Sequence, residues 1–170
     1  MKCQDTSDSA PPLNQDVMRD NNAVNPANAV VKLCAQGMEA EAVGRVEHAR
    51  ELFMEAWRVS SDDYEACIAA HYLARHQATA EETLWWNQVA LRRADATVDH
   101  RVNEFYPSLY LNVAYALEQL GRVAEAYQNY TFAAVRLDDL PANGYTNMIR
   151  MAVAQGQERT RGAAKACASA

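Results

Sequence analysis

Residues 110–137 read YLNVAYALEQLGRVAEAYQNYTFAAVRL, and this stretch decides the fold of the chain. Apolar residues recur in it at i, i+3, i+4 and i+7, which places them on one face of an α-helix, and the period continues beyond Gly121. Gly121 suits the left-handed conformation that follows a helix C-terminus, so the second helix is predicted to fold back antiparallel on the first. Because neither helix can bury its apolar face alone, the stretch predicts one helical hairpin of a repeat array.

Two other segments repeat the pattern of the second helix of this hairpin. Residues 44–57, GRVEHARELFMEAW, match it without a gap, and residues 78–91, ATAEETLWWNQVAL, match it more weakly. The small, aromatic and small positions are held by Ala49, Phe53 and Ala56, then by Thr83, Asn87 and Ala90, and finally by Ala126, Tyr130 and Ala133. The first small positions are 34 and then 43 residues apart, so the sequence predicts three related units with nine extra residues before the third.

These units resemble the tetratricopeptide repeat, which has a period of about 34 residues and the same small, aromatic, small spacing in its second helix. The resemblance covers roughly residues 30–140, and the longer third unit is similar to the extended tetratricopeptide variants of bacterial regulators. It implies an all-α fold, an α-α superhelix of about three helical hairpins. A further apolar period that begins at Tyr145 predicts a C-terminal helix that caps the array.

The sequence divides into three parts. Residues 1–24 are predicted to be a flexible leader, since they mix Ser, Asp, Asn and Pro without periodicity and lack the apolar core of a secretory signal. Residues 25–156 form the repeat domain, with Asn25 as N-cap and Pro26 at the first helical position. Residues 157–170 are predicted to be a flexible tail.

Two details inside the domain follow from the geometry of a helix. Pro107 removes a hydrogen bond and clashes with the preceding turn, so helix five either begins at Pro107 or begins near His100 and kinks. Adjacent residues point about 100° apart on a helix. Trp86 is therefore predicted to support the core, with Trp85 more exposed.

Charge and composition exclude several classes of function. A net charge of −6 and a pI near 5.2 repel nucleic acid and anionic membranes, so neither is predicted as a partner. The four cysteines contain no CxxC pair, which predicts no metal site and favours a reducing, cytoplasmic location. No phosphate-binding loop, GxGxxG or GxSxG motif occurs, so no cofactor is predicted.

One pair of residues could support catalysis. Cys67 and His71 are four residues apart on one helical face, where a thiolate and an imidazole could form a nucleophilic couple. Both also fall on the stripe that packs against helix four, where cysteine acts as a small hydrophobic residue. We therefore predict a core role for both residues and no enzymatic activity.

The remaining candidate site is a surface. In tetratricopeptide arrays the first helix of each repeat lines a concave groove. The resemblance implies that the groove of this chain is lined by Met38, Glu41, Glu65, Ile68, Tyr72, Arg75, His76, Leu111, Tyr115, Glu118, Tyr145 and Ile149. Cys34 and Ser108 occupy neighbouring positions of the same strip. The strip has an apolar, aromatic centre and charges at its edge, which suits an amphipathic helix or an extended apolar segment.

The sequence therefore predicts a non-catalytic scaffold that binds a protein or peptide partner in this groove. Tyr72 and Tyr115 are the predicted anchors, and Arg75 or Glu118 would select the charge of the partner. Three alternatives stay open: a regulatory sensor with a small ligand or peptide in the groove, a homodimer formed through the groove, and an enzyme that uses Cys67 and His71. Part of the strip could also be buried by the curvature of the array, by the leader or by a second copy of the chain.

Overall fold

The computed structural model describes residues 27–138 and 140–167, with side chains described as far as residue 162. The described residues form α-helices and two 3₁₀ segments, and contain no β-strand. The α-helices are α1 (Ala29–Ala42), α2 (Val46–Val59), α3 (Asp63–Leu73), α4 (Ala80–Ala96), α5 (Tyr106–Gln119), α6 (Val123–Leu137) and α7 (Gly144–Cys167). The predicted all-α fold is confirmed.

Three helical hairpins make up most of the molecule. Helices α1 and α2, α3 and α4, and α5 and α6 pack against each other in pairs, and α7 packs on α6 and α5. Gly44 and Gly121 end the first helix of the outer two hairpins with φ angles of 75° and 71°, a left-handed conformation that most side chains avoid. The paired helices bury a nearly continuous series of apolar side chains between them.

Polar side chains fix where α1, α3 and α4 begin. Helix α1 starts three residues later than predicted, because Asn28 is its N-cap and accepts hydrogen bonds from the backbone N–H groups of Val30 and Val31. The predicted cap, Asn25-Pro26, lies outside the described residues. Asp62 and Thr79 cap α3 and α4 in the same way, with each side chain accepting from the backbone N–H three residues on.

Pro107 lies in the first turn of α5 and does not kink it. A 3₁₀ segment, His100–Phe105, precedes the helix, and α5 then runs without interruption from Tyr106 to Gln119. Proline is tolerated here because its missing N–H has no partner in the first turn of any helix. Of the two predicted arrangements, the structure therefore matches a helix that starts beside the proline.

The C-terminal region differs from the predicted flexible tail. Helix α7 continues through Gly156 to Cys167, so residues 157–167 are helical. A Cβ atom at Gly156 would lie 2.3 Å from the Tyr130 ring, so the absence of a side chain lets α7 approach α6 closely. Val153 and Thr160 of α7 are also buried. The packing of α7 on α6 stabilises the helix beyond Gly156. The presence of a glycine in the sequence does not predict this packing.

Glycine plays the same part at the other end of the molecule. A Cβ atom at Gly37 of α1 would lie 2.2 Å from the ring of Phe53, the residue that matches Tyr130 in the sequence repeat. Both rings are fully buried. The repeated aromatic position is thus filled twice by a ring that packs against a glycine on a neighbouring helix.

The tryptophan pair of α4 is arranged as predicted. Trp85 is 51% exposed, whereas Trp86 is partly buried and packs edge-to-face on Trp57 of α2 with 5.2 Å between ring centroids. Because Trp86 reaches back to the preceding hairpin, it joins the first two hairpins through aromatic contact.

Candidate functional site

The centre of the predicted groove is buried inside the protein. Five of its predicted residues are at most 9% exposed, namely Met38, Ile68, Tyr72, Leu111 and Ile149, and the neighbouring Cys34 and Ser108 are buried as well. The reason is that α1 packs on α3 and α7 packs on α5, which closes the strip from both ends. The predicted open apolar centre is therefore corrected to a part of the core.

Tyr72 was predicted to be an exposed anchor and is instead buried. Its side chain is 1% exposed, and its ring stacks on Phe53 with 5.2 Å between centroids. The guanidinium of Arg75 lies over the same ring at 5.9 Å. A side chain enclosed in this way holds α2 and α3 together and is not accessible as an anchor for a partner.

Seven predicted residues remain partly exposed, and five of them lie at or just after the C-terminal parts of the first helices. We call these five the rim: Glu41 of α1, Arg75 and His76 of the 3₁₀ segment that follows α3, and Tyr115 and Glu118 of α5. The other two predicted residues lie in the first turns of their helices. Glu65 accepts hydrogen bonds from Ser61 and Asn28, and Tyr145 is the second residue of α7.

Glu41 organises the first half of the rim. One carboxylate oxygen pairs with Arg75 at 3.2 Å and the other contacts His76 Nε2. The three side chains are between 14% and 23% exposed, and the His76 ring stacks on Phe53 at 5.9 Å. Glu41 lies in the last turn of α1, where the helix dipole disfavours a negative charge, and the Arg75 guanidinium offsets that cost.

Glu118 organises the second half. Its carboxylate accepts hydrogen bonds from Arg159 Nε at 2.7 Å and from the Tyr130 hydroxyl at 2.6 Å. Burial opposes ionisation, but the hydrogen bonds from Arg159 and Tyr130 outweigh it and lower the pKa of Glu118 below its usual value. Arg159 is 41 residues away in the chain and falls in the predicted tail, so no local spacing in the sequence marks this pair.

This network predicts an acid-sensitive contribution to stability. A carboxyl group whose pKa is lowered by folding stabilises the native state above its unfolded pKa of about 4.3, and the contribution is lost as the pH falls through the folded pKa. We expect the urea midpoint of the native protein to fall between pH 5 and pH 3, and that of Glu118→Gln to fall less. Glu39→Gln, the same change at an exposed site on α1, should follow the native protein.

The environment of Cys67 and His71 opposes nucleophilic catalysis. Burial raises the pKa of Cys67 to about 12, with a further contribution from Asp95. Burial lowers the pKa of His71 to about 3, and Arg75 lowers it further. A cysteine nucleophile needs the opposite shifts, toward a thiolate beside an imidazolium. Cys34 is likewise a buried free thiol with its pKa raised to about 12.

Two further features bear on function. Within the described ranges, no group of three or more His, Cys, Asp or Glu side chains is placed to hold a metal ion. No helix in the described part of the chain combines the length and the apolar character needed to cross a membrane.

No protein-family model, curated protein or solved structure matches the chain. The repeat pattern and the geometry of the rim therefore carry the functional argument.

Proposed function

We propose that the protein is a non-catalytic scaffold with tetratricopeptide-like hairpins, which binds a peptide or a helical segment of a partner protein along the rim. The rim combines acidic, basic and aromatic side chains, all partly exposed and all on the first helices of the hairpins or on the 3₁₀ segment that follows α3. A partner segment laid across these helices would meet Glu41 and Arg75 on one side and Tyr115 and Glu118 on the other.

The observation that carries the proposal is the fixed orientation of the rim charges. Arg75 is held by Glu41 and by the Tyr72 ring, and Glu118 is held by Arg159 and Tyr130. Side chains ordered before binding lose little conformational entropy when a partner arrives. Charges held in this way favour a partner of matching charge pattern and exclude others.

The experiment is a capture from extract of the source cells with the full chain immobilised. We expect one partner at fixed stoichiometry, with capture reduced at least tenfold by Tyr115→Ala and by Arg75→Gln. Tyr127→Ala, which truncates another partly buried tyrosine on α6, should capture the partner as well as the native protein does. Circular dichroism and urea midpoints establish that each variant is folded.

Two other outcomes would count against the rim as the surface that binds a partner. Undiminished capture by both rim variants would refute it as the binding surface. A single species of twice the chain mass in sedimentation, with no second protein bound, would instead support the homodimer.

A further inference from the structure

A group of buried polar side chains lies behind the rim, where α3, α5 and α7 meet. His71 and Arg75 are four residues apart and lie on one face of α3 and its 3₁₀ extension, and Asn112 faces them from α5. The Asn112 amide nitrogen is 3.4 Å from His71 Nδ1. Tyr145 of α7 completes the group and lies toward Ser108, one turn before Asn112. We call His71, Arg75, Asn112 and Tyr145 the polar cluster.

Each member of the polar cluster has a buried polar atom without a hydrogen bond of normal geometry, although the Ser108 hydroxyl lies beside that of Tyr145. Among the described residues, four buried side-chain atoms make no hydrogen bond of normal geometry: His71 Nε2, Arg75 Nη1, Asn112 Oδ1 and the Tyr145 hydroxyl. All four belong to the polar cluster. Buried polar groups in native proteins are nearly always hydrogen-bonded to protein, water or a ligand, so these four atoms call for a polar partner that the described side chains do not supply.

The unpaired atoms define what they can bind. If the Asn112 nitrogen donates to His71 Nδ1, then His71 Nε2 remains a donor and the Asn112 oxygen an acceptor. If the amide is turned over, His71 Nε2 becomes the acceptor and the Asn112 nitrogen the donor. Both arrangements leave one donor and one acceptor. Arg75 Nη1 adds a second donor, and the Tyr145 hydroxyl can act in either sense.

The charges around the polar cluster favour a neutral group as its ligand. The positive charge of Arg75 is already balanced by Glu41 at 3.2 Å, and His71 is neutral because burial lowers its pKa. A carboxylate would place a negative charge against the unpaired acceptor, and an ammonium group would place a positive charge beside Arg75. A carboxamide avoids both, since its carbonyl oxygen accepts two hydrogen bonds and its N–H donates one.

The polar cluster reaches the surface on one side. His71 and Asn112 are 2% and 6% exposed, whereas Arg75 and Tyr145 are partly exposed. The Arg75 side of the polar cluster therefore faces the rim.

We infer that the polar cluster binds a primary carboxamide group, with Arg75 and His71 or Asn112 donating to its oxygen and the remaining acceptor receiving its N–H. This inference rests on the proposed function where the group is an asparagine or glutamine side chain of the partner segment. The same chemistry would accept a small free amide.

The test follows the side-chain nitrogens of His71 by NMR in full-length protein labelled with ¹⁵N-histidine. Acetamide is the probe for a free amide, and acetate at equal ionic strength is the charged control. The peptide Ac-Ala-Gln-Ala-NH₂ is the probe for a side-chain amide, with Ac-Ala-Met-Ala-NH₂ as its apolar match. We expect a saturable shift of the His71 resonance with acetamide or with the glutamine peptide, and none with acetate or the methionine peptide.

The two probes separate the sources of the amide. Tighter binding of the glutamine peptide than of acetamide supports a partner side chain, and binding of acetamide alone supports a free amide. Asn112→Leu should weaken either interaction at least tenfold, whereas Asn129→Leu, the same change on α6 outside the polar cluster, should not. Arg75→Lys, which keeps the charge beside Glu41 but loses the guanidinium donors, provides a second variant if Asn112→Leu does not fold.

Absence of any saturable shift with acetamide and the glutamine peptide would overturn the inference, as would an equal shift with acetate. Because the probes need no partner, failure here leaves the capture experiment intact. Failure of capture at the rim likewise leaves the response to acetamide intact.

Discussion

Tyr72→Ala is expected to lower the free energy of unfolding by about 3–5 kcal/mol, the usual cost of deleting a fully buried aromatic ring. The Tyr72 ring is 1% exposed and lies between Phe53 of α2 and the guanidinium of Arg75. Its removal would leave a cavity that the surrounding helices can fill only in part. Urea denaturation followed by far-ultraviolet circular dichroism measures the loss.

Tyr72→Phe is the matched control, because it keeps the ring and its stacking on Phe53. We expect it to cost less than about 1.5 kcal/mol, as volume-conserving changes usually do. If Tyr72→Ala were as stable as the native protein, Tyr72 would be a surface residue, as the groove hypothesis requires. The experiment therefore distinguishes a core role from an anchor role without any knowledge of the partner.

Gly37→Leu is expected to lower the free energy of unfolding by about 3 kcal/mol through overpacking. Even a Cβ atom at this position would lie 2.2 Å from the Phe53 ring, so a leucine side chain must displace the ring or separate α1 from α2. Leucine is otherwise the better helix former by about 1 kcal/mol. Gly162→Leu on α7, where a Cβ atom would meet nothing within 4 Å, should therefore be neutral or slightly stabilising.

A double-mutant cycle assigns the cost of Gly37→Leu to a single contact. Phe53→Ala alone removes a fully buried ring, and in its presence the leucine at position 37 can occupy the vacated space. We expect the double variant to be about 1–3 kcal/mol more stable than the sum of the two single changes predicts. Additive losses would show that Gly37 and Phe53 act independently.

The parts of the fold that depend on local signals could be predicted from the sequence. Helix α2, Val46–Val59, matches the repeated segment at residues 44–57, because a glycine turn precedes it and a single apolar stripe runs through it. Helix α6 ends at Leu137, as predicted, for the same reasons. The N-caps Asp62 and Thr79 depend on local signals as well, since a capping side chain bonds to a backbone N–H only three residues away.

The parts that depend on distant packing could not be predicted. Ile149 and Leu111 became core residues because α7 folds against α5, and no local spacing encodes that contact. The pair of Glu118 with Arg159 and the contact of His71 with Asn112 both join residues 41 positions apart. Residue type and helical period identify the face on which a side chain lies, but the burial of that face is decided by the neighbouring helix.

The two left-handed glycines have a consequence for how the chain folds. Gly44 and Gly121 give the outer hairpins nearly the same turn, with φ angles of 75° and 71°, whereas the middle hairpin turns through the 3₁₀ segment Ala74–His76. Hairpins closed by short turns form rapidly, and units of a repeat array can nucleate separately. We therefore expect the two outer hairpins to nucleate separately and the middle hairpin, which packs on both, to couple their folding.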